Sequence, residues 1–253
     1  MRKRFVPESL YDVHCHVAEK AGAQNACQLR LSGRILCGVR PDEWDRVKKE
    51  AALWPGSIAA FGVHPWHAAE ATGEWKDRLE AMLAACPTAW VGEIGVDGLK
   101  ADTADMADQA ALLADQLRIA DRLDRPVNVH CVKAWDVLLE TLDSWYLARG
   151  PRPFVVHSFS GPHQFVSRLS ERGAYFSIGP LAFRHDSRRW RERAAILPEG
   201  RLLLESDAFL VPGCDAAEDV ERALAWLAGV RGCGVADLGE QILDNQGRLF
   251  GHE

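Results

Sequence analysis

Eight short runs rich in apolar and β-branched residues alternate with longer segments of helical periodicity, and this alternation restricts the possible folds most. The runs are LYDV (10–13), RILCGV (34–39), SIAAFGV (57–63), AWVGEIGV (89–96), RPVNVH (125–130), PFVVHS (153–158), AYFSIG (174–179) and RLLLES (201–206). Segments such as EWDRVKKEAAL and ADQAALLADQLRIADRL lie between them, with apolar residues three or four positions apart. Strands that alternate with helices form parallel sheets, and eight strands close a barrel. The pattern predicts an α/β fold, a TIM (β/α)8 barrel.

The chain shows no composition break, no low-complexity linker and no internal repeat over its 253 residues. Barrels of this kind commonly occupy 200 to 250 residues as one domain, so we expect a single domain over residues 1–253. A doubly wound open sheet is the alternative. It is less favoured because no glycine-rich phosphate loop follows any of the eight runs.

The composition limits which cellular environments and which binding partners are expected for this chain. The formal net charge of −6 provides no global basic field for nucleic acid or membrane surfaces, so a polyanionic substrate would need a local patch or a metal. The seven cysteines form no CxxC pair, which favours reduced thiols and a cytoplasmic location. No apolar stretch reaches membrane-spanning length. We expect a monomer or weak oligomer, and nothing in the chain indicates a protein partner.

Histidine and carboxylate side chains stand at the carboxyl ends of the predicted strands, where barrel enzymes build their active sites. A single histidine at a strand end is usually a hydrogen-bonded core residue, but so many on one barrel favour a metal site. The residues are His14, His16, His64, Glu93, His130, His157 and Asp207.

The HxH pair fits that interpretation. Side chains alternate along a strand, so His14 and His16 should point together into the barrel mouth while Cys15 points towards the helices. Two neutral imidazoles side by side suit one divalent cation. Histidines and carboxylates from the other strands can complete one or two metal sites.

With these residues in place, the chain resembles the TatD-type metal-dependent deoxyribonucleases, a branch of the amidohydrolase-like TIM barrels. The matching stretches occur in the family's order over nearly the whole chain: YDVHCHV, FGVHPW, VGEIGVD, RPVNVHC, VVHSFSGP, YFSIG, LLLESDA and DNQGRLFG.

The resemblance implies two divalent metal ions per chain, of the Mg, Mn, Zn, Co or Ni kind. His14, His16 and Asp207 would hold one, His130 and His157 the other, with Glu93 bridging them. It also implies hydrolysis of phosphodiester bonds, usually 3′ exonucleolytic trimming of DNA. A metal pair can activate water and neutralise phosphoryl charge. Asp207 would then act as general base, and Glu93 would share in catalysis as the bridge.

Residues around the proposed ligands depart from the family pattern. Val132 stands where the family often has arginine, with Lys133 beside it, and Trp66 stands where it often has histidine. Phe209 replaces a frequent proline. Because these changes affect the surroundings of the site, a small phosphoester, amide or lactone remains an alternative substrate, and a metal-binding protein without catalytic activity is a third possibility.

Three residues are candidates for substrate binding. His64 could contact a phosphate or orient a ligand, and Lys133 could replace the missing arginine. The arginine-rich segment 184–193 is expected to be mainly a solvated helix face, with only its start, around Arg184, near a strand end. Most of the tryptophans are expected to pack between helices and barrel, whereas Trp66 could line the pocket.

Overall fold

Eight parallel strands form one sheet, in which each strand pairs with the next along the chain. A computed structural model of the protein describes residues 6–17, 31–102, 104–208 and 215–251. The strands are β1 Tyr11–His16, β2 Gly33–Cys37, β3 Ile58–Phe61, β4 Trp90–Asp97, β5 Val127–Val132, β6 Phe154–Val156, β7 Ala174–Ile178 and β8 Leu202–Leu204.

The sheet closes where the segment after β8 meets β1. The backbone N–H of Asp207 donates to the carbonyl of His14 at 3.0 Å, and the N–H of His16 donates to the carbonyl of Ala208 at 3.2 Å. These contacts join the last strand to the first, so the predicted TIM barrel is confirmed.

Helices connect the strands and pack outside the barrel. Helix α3 illustrates how the sequence produces them. The carboxylate of Asp105 caps its first turn by accepting the N–H of Ala107 at 2.8 Å, and Leu113 and Leu117 lie on its buried face. The helices of the described ranges are α1 Trp44–Leu53, α2 Trp75–Ala85, α3 Met106–Arg122, α4 Trp135–Arg149, α5 Gln164–Glu171, α6 Pro180–Arg184, α7 Arg188–Ile196, α8 Ala216–Arg231 and α9 Val235–Phe250.

Strand alternation produces two apolar layers. On β2, Ile35 and Cys37 belong to the cluster inside the barrel, whereas Leu36 belongs to the larger cluster between barrel and helices. Cys15 lies in the outer cluster, as predicted from its alternation with the flanking histidines. The barrel is therefore filled by side chains, and open space for chemistry is left to its ends.

Three strands are longer at their carboxyl ends than the apolar runs predict. Strand β1 extends to His16, β4 to Asp97 and β5 to Val132. On β1 and β4, apolar periodicity underestimates the strand because the last residue, His16 or Asp97, is polar. Residues 14–33, between the first two apolar runs, have the least regular pattern in the sequence and are predicted to hold a loop more than a helix. Most of this interval, residues 18–30, lies outside the described residues, as does Phe209. Among the helices in the described ranges, none combines the length and apolar character of a membrane span.

Candidate metal centre

Seven of the predicted residues meet at the carboxyl end of the barrel. Their side chains come from six different strand ends and are buried or nearly so. Three overlapping groups bring potential ligand atoms within 4.8 Å of one another: His14, His157 and Asp207; His14, His16 and Glu93; His64, Glu93 and His130.

Glu93 lies between two histidine pairs. Its Oε2 atom is 3.6 Å from Nε2 of His14 and 3.4 Å from Nε2 of His16. Its Oε1 atom is 2.9 Å from both Nδ1 of His130 and Nε2 of His157. Each carboxylate oxygen therefore faces a different pair, which is the arrangement that a bridging ligand requires.

Asp207 completes the first group from the opposite side of the barrel seam. Its Oδ1 atom lies 3.5 Å from Nε2 of His16 and 3.8 Å from Nε2 of His14, and no described group donates a hydrogen bond to it. The backbone of Asp207 adopts a left-handed conformation with φ of 48°. Such strain is common where a fold positions a functional group, and aspartate tolerates it better than most residues.

The outer nitrogens of the first histidine pair face acceptors. Nδ1 of His14 lies 2.8 Å from Oδ1 of Asn128, and Nδ1 of His16 lies 3.0 Å from the carbonyl oxygen of Cys37. The amide nitrogen of Asn128 donates to the carbonyl of Val13 at 2.8 Å, so its oxygen must face His14. Both Nδ1 atoms therefore carry the proton, and both Nε2 atoms present lone pairs to the centre.

The second pair has carboxylates in the equivalent positions. Nε2 of His130 lies 3.2 Å from Oδ2 of Asp97, and Nδ1 of His157 lies 3.6 Å from Oε1 of Glu205. The other oxygen of Glu205 accepts a hydrogen bond from the hydroxyl of Ser177. Carboxylates behind histidines fix the tautomer and make the inner nitrogen a stronger ligand.

The donor set fits divalent metal ions. The inner nitrogens of His14 and His16 lie 3.0 Å apart, as do those of His130 and His157. These lone pairs, together with the oxygens of Glu93 and Asp207, form a buried group of acceptors that requires positive charge at its centre. Histidine nitrogens and carboxylate oxygens are suitable ligands for Zn, Mn, Co, Ni and related ions.

The pKa values of Glu93 and His157 also indicate that the site favours positive charge. Burial alone would raise the pKa of Glu93, but the surrounding histidines, His64 and His157 foremost, hold it well below its usual range. Burial would lower the pKa of His157, but Glu93 and Glu205 raise it well above the usual value. The carboxylates are therefore ionised, and the site attracts either protons or metal ions.

His64 differs from the other four histidines. Its Nδ1 atom accepts the backbone N–H of Trp66 at 3.2 Å, so in the neutral ring the proton is on Nε2, which lies 3.3 Å from Oε1 of Glu93. Burial lowers the pKa of His64 to about 4, which keeps the ring neutral. His64 thus presents a hydrogen-bond donor to the centre, whereas the other four present lone pairs.

Local backbone features bring the ligands together. The register of β1 against β2 shifts between Asp12 and Cys15, and the Asp12 carboxylate accepts the N–H of His14 there at 3.3 Å and that of Ser206 at 2.9 Å. On β4, Gly95 has φ of 153°, and a Cβ atom at this position would collide with the carbonyl of His130. Only glycine allows β4 and β5 to approach so closely.

The other two candidates for substrate binding are not part of this cluster. Lys133 is exposed and follows β5 in a left-handed conformation, with φ of 50°. Arg184, at the end of α6, directs its guanidinium to the buried carboxylate of Asp219 on α8, at 3.1 Å. Arg184 therefore already has a structural partner.

Sequence reasoning missed four residues that support the histidines: Asp12, Asp97, Asn128 and Glu205. The sequence contained a signal for all four. Asp12, Asn128 and Glu205 each stand two residues before a proposed ligand, and side chains two residues apart on a strand point to the same side. Asp97 ends the VGEIGVD motif on an extended β4.

Comparison with known families gives one match over nearly the whole chain. The sequence model of the family described as TatD related DNase matches residues 11–251.

Individual relatives are similar in sequence. The chain is 30% identical over 254 residues to the uncharacterized metal-dependent hydrolase YjjV of Escherichia coli, covering 94% of this chain and 96% of that protein. It is 33% identical over 186 residues to the 3′-5′ ssDNA/RNA exonuclease TatD of Citrobacter rodentium, covering 72% of this chain and 69% of that protein.

A solved structure is similar in fold. The crystal structure of Escherichia coli YjjV, a TatD homolog, superposes with a TM-score of 0.86 at 27% identity, over 97% of this chain and 99% of that one.

Proposed function

This chain belongs to the family of TatD-related DNases, and from that premise we propose that it releases nucleotides from the 3′ end of single-stranded DNA with two divalent metal ions. It is a metal-dependent hydrolase acting on ester bonds. The observation that carries the proposal is the position of Glu93, with one carboxylate oxygen facing each of two histidine pairs. Such a double site suits phosphodiester hydrolysis.

We assign the ligands from these contacts. His14, His16 and Asp207 would hold one ion, His130 and His157 would hold the other, and Glu93 would bridge them. The tautomers support this set, because the four histidines present lone pairs to the centre while His64 presents a donor. His64 is therefore assigned to substrate, as a hydrogen-bond donor to a phosphoryl oxygen.

The bound ions would supply Lewis-acid activation of water and neutralisation of phosphoryl charge. Asp207 would accept the proton of the attacking water at Oδ1, the oxygen to which no described group donates. The contact with His16, and the positive charge that His14 carries when it is protonated at low pH, counteract the effect of burial and hold the pKa of Asp207 below its usual range. The Asp207 carboxylate is therefore ionised at neutral pH, where His14 is neutral. Glu93 would keep the two halves of the site at a fixed separation.

Lys133 and Arg184 are the proposed contacts to the rest of the strand. The exposed ammonium of Lys133 follows β5 directly, on the side of the barrel that carries His130. Arg184 would have to leave Asp219 to reach a phosphate, so its contribution requires the loss of that ion pair.

The first test is metal-dependent release of label from 3′-labelled single-stranded DNA, with Mg and Mn compared. Release that requires metal and is lost in Asp207→Asn is the expected result. Asp77→Asn, on the exposed side of α2, is the matched control and should retain full activity. A metal-loaded wild type that releases nothing would refute the nuclease proposal and favour a small phosphoester, amide or lactone as substrate.

We also propose a reducing compartment such as the cytoplasm as the place of action. The cysteines within the described residues, Cys15, Cys37, Cys86, Cys131 and Cys233, are all free thiols.

A further inference from the structure

An indole is exposed beside the metal centre. Trp66 follows β3, and 45% of its surface is exposed, although the tryptophans on β4 and in α1 are almost completely buried. Burial of a side chain of this size normally stabilises the fold. Its exposure at the catalytic end of the barrel therefore indicates a surface that a ligand can cover.

The indole is held in a fixed orientation. Its Nε1–H donates to Oδ2 of Asp97 at 2.7 Å, and Oδ1 of Asp97 accepts the N–H of Leu99 at 2.8 Å. The backbone N–H of Asp97 donates to Gln109 at 2.7 Å, and the ring of His64 meets the indole edge-on at 4.8 Å between centroids. A ring fixed in this way loses little entropy when a ligand stacks on it.

The same carboxylate links the indole to the metal centre. Oδ2 of Asp97 lies 2.7 Å from Nε1 of Trp66 and 3.2 Å from Nε2 of His130. The exposed ring and a proposed metal ligand therefore share one acceptor atom. A group stacked on Trp66 would be directly next to the phosphodiester bound at the metals.

A cation accompanies the indole. Nζ of Lys100, in the turn after β4, lies 5.2 Å from the centroid of the Trp66 ring. In a chain of net charge −6, this places a positive charge next to an aromatic surface at the mouth of the site. The pair matches the two parts of a nucleotide, since an indole stacks on a base and an ammonium attracts a phosphate.

We propose that Trp66 and Lys100 form a subsite for one unpaired nucleotide of a DNA strand, adjacent to the scissile phosphodiester. The base stacks on Trp66, and the ammonium of Lys100 moves on its flexible chain to the neighbouring phosphate. A base within a duplex is stacked on its neighbours on both sides, so the subsite selects single-stranded ends. This inference rests on the proposed nuclease function.

The test compares two 3′-labelled single strands that differ only at the 3′ end, where one carries normal nucleotides and the other two abasic tetrahydrofuran units. KM and kcat are measured with metal-loaded wild type, Trp66→Ala, Trp66→Phe and Lys100→Ala. Lys76→Ala is the matched control, because Lys76 also lies over an indole, at 5.5 Å from the centroid of Trp75, but on the outer helix α2.

We expect wild type to favour the base-bearing strand through KM by about tenfold, the size expected for one stacked base. Trp66→Ala should abolish this preference, while Trp66→Phe should retain most of it because the ring remains. Lys100→Ala should raise KM for both strands, and Lys76→Ala should change neither.

Three results would overturn the inference. If Trp66→Ala raises KM equally for both strands, or for neither, the base does not stack there. If Trp66→Phe behaves like Trp66→Ala, the indole acts through its bond to Asp97 instead. In these cases wild type still cleaves DNA, and the nuclease proposal stands. A metal-loaded wild type that cleaves neither strand would refute both proposals.

Discussion

Asn128 orients His14 across the interior of the barrel. The two residues lie on β5 and β1, and Oδ1 of Asn128 is 2.8 Å from Nδ1 of His14. Because the amide nitrogen of Asn128 is bound to the carbonyl of Val13, the amide cannot reverse without losing that bond. The contact therefore determines which nitrogen of His14 carries the proton and which one faces the centre.

Asn128→Ala should weaken the binding of one metal ion about 10- to 100-fold, because it removes the acceptor that orients His14. Calorimetric titration with Mn would measure the affinity of each ion. Asn245→Ala is the matched control, since Asn245 is also buried and bonded to backbone carbonyls, but on α9. Asn245→Ala should lower stability and leave metal affinity unchanged. An equal loss of metal affinity in the two variants would contradict the role of Asn128.

Asp97→Ala should weaken the other ion selectively. Asp97 supports His130, which we assign to the second metal, and among the described residues its hydrogen bonds do not reach His14 or His16. The titration should then retain one tight step and lose the other by about 10- to 100-fold. Loss of the same step in Asn128→Ala and Asp97→Ala would argue against two separate ligand sets.

Removal of the metals should lower thermal stability. Each ion that is present at about 100 times its dissociation constant adds about 2.7 kcal/mol to the free energy of unfolding. For a chain of this size that corresponds to a Tm increase of about 5–10 °C. Differential scanning calorimetry with and without a chelator would measure the shift, and Glu93→Gln should show a much smaller one. An unchanged Tm in saturating Mn, Mg and Zn would contradict a metal centre.

Asp12→Ala should destabilise the closure of the barrel. Asp12 accepts the N–H groups of His14 and Ser206, both buried, and each unsatisfied buried donor costs about 1–3 kcal/mol. We therefore expect the free energy of unfolding in urea to fall by about 2–6 kcal/mol. Asp105→Ala, which removes the solvent-exposed N-cap of helix α3, should cost only about 1 kcal/mol. An equal decrease in the free energy of unfolding in the two variants would show that Asp12 has no special role in closing the barrel.

Lys133→Ala should raise KM for single-stranded DNA without a comparable change in kcat. If Lys133 contacts one phosphate, the variant should also reduce the slope of log affinity against log salt by about 0.7. Lys49→Ala, an exposed lysine on α1, should leave both quantities unchanged. A slope equal to that of wild type would exclude a phosphate contact by Lys133.

Much of the fold could be predicted from local patterns. Strands and helices can be recognised from the side-chain periodicity within a short segment, and eight alternations of the two favour one closed barrel. Once the strands are recognised, the sequence also shows that the proposed ligands stand at their carboxyl ends. Their roles stay predictions until they are measured, but the structure does bring His14, His16, Glu93, His130, His157 and Asp207 together.

The sequence by itself determined the alternation of strands and helices, the barrel that follows from it and the residues from which a metal centre could be built. Only the tertiary structure decided how that centre is oriented. Asn128 is 114 residues from His14, and Asp12 is 194 residues from Ser206, so no local pattern contains these pairs. The same holds for the indole of Trp66, which meets Asp97 because adjacent parallel strands end side by side. Hydrogen bonds between distant segments exist only after the barrel closes.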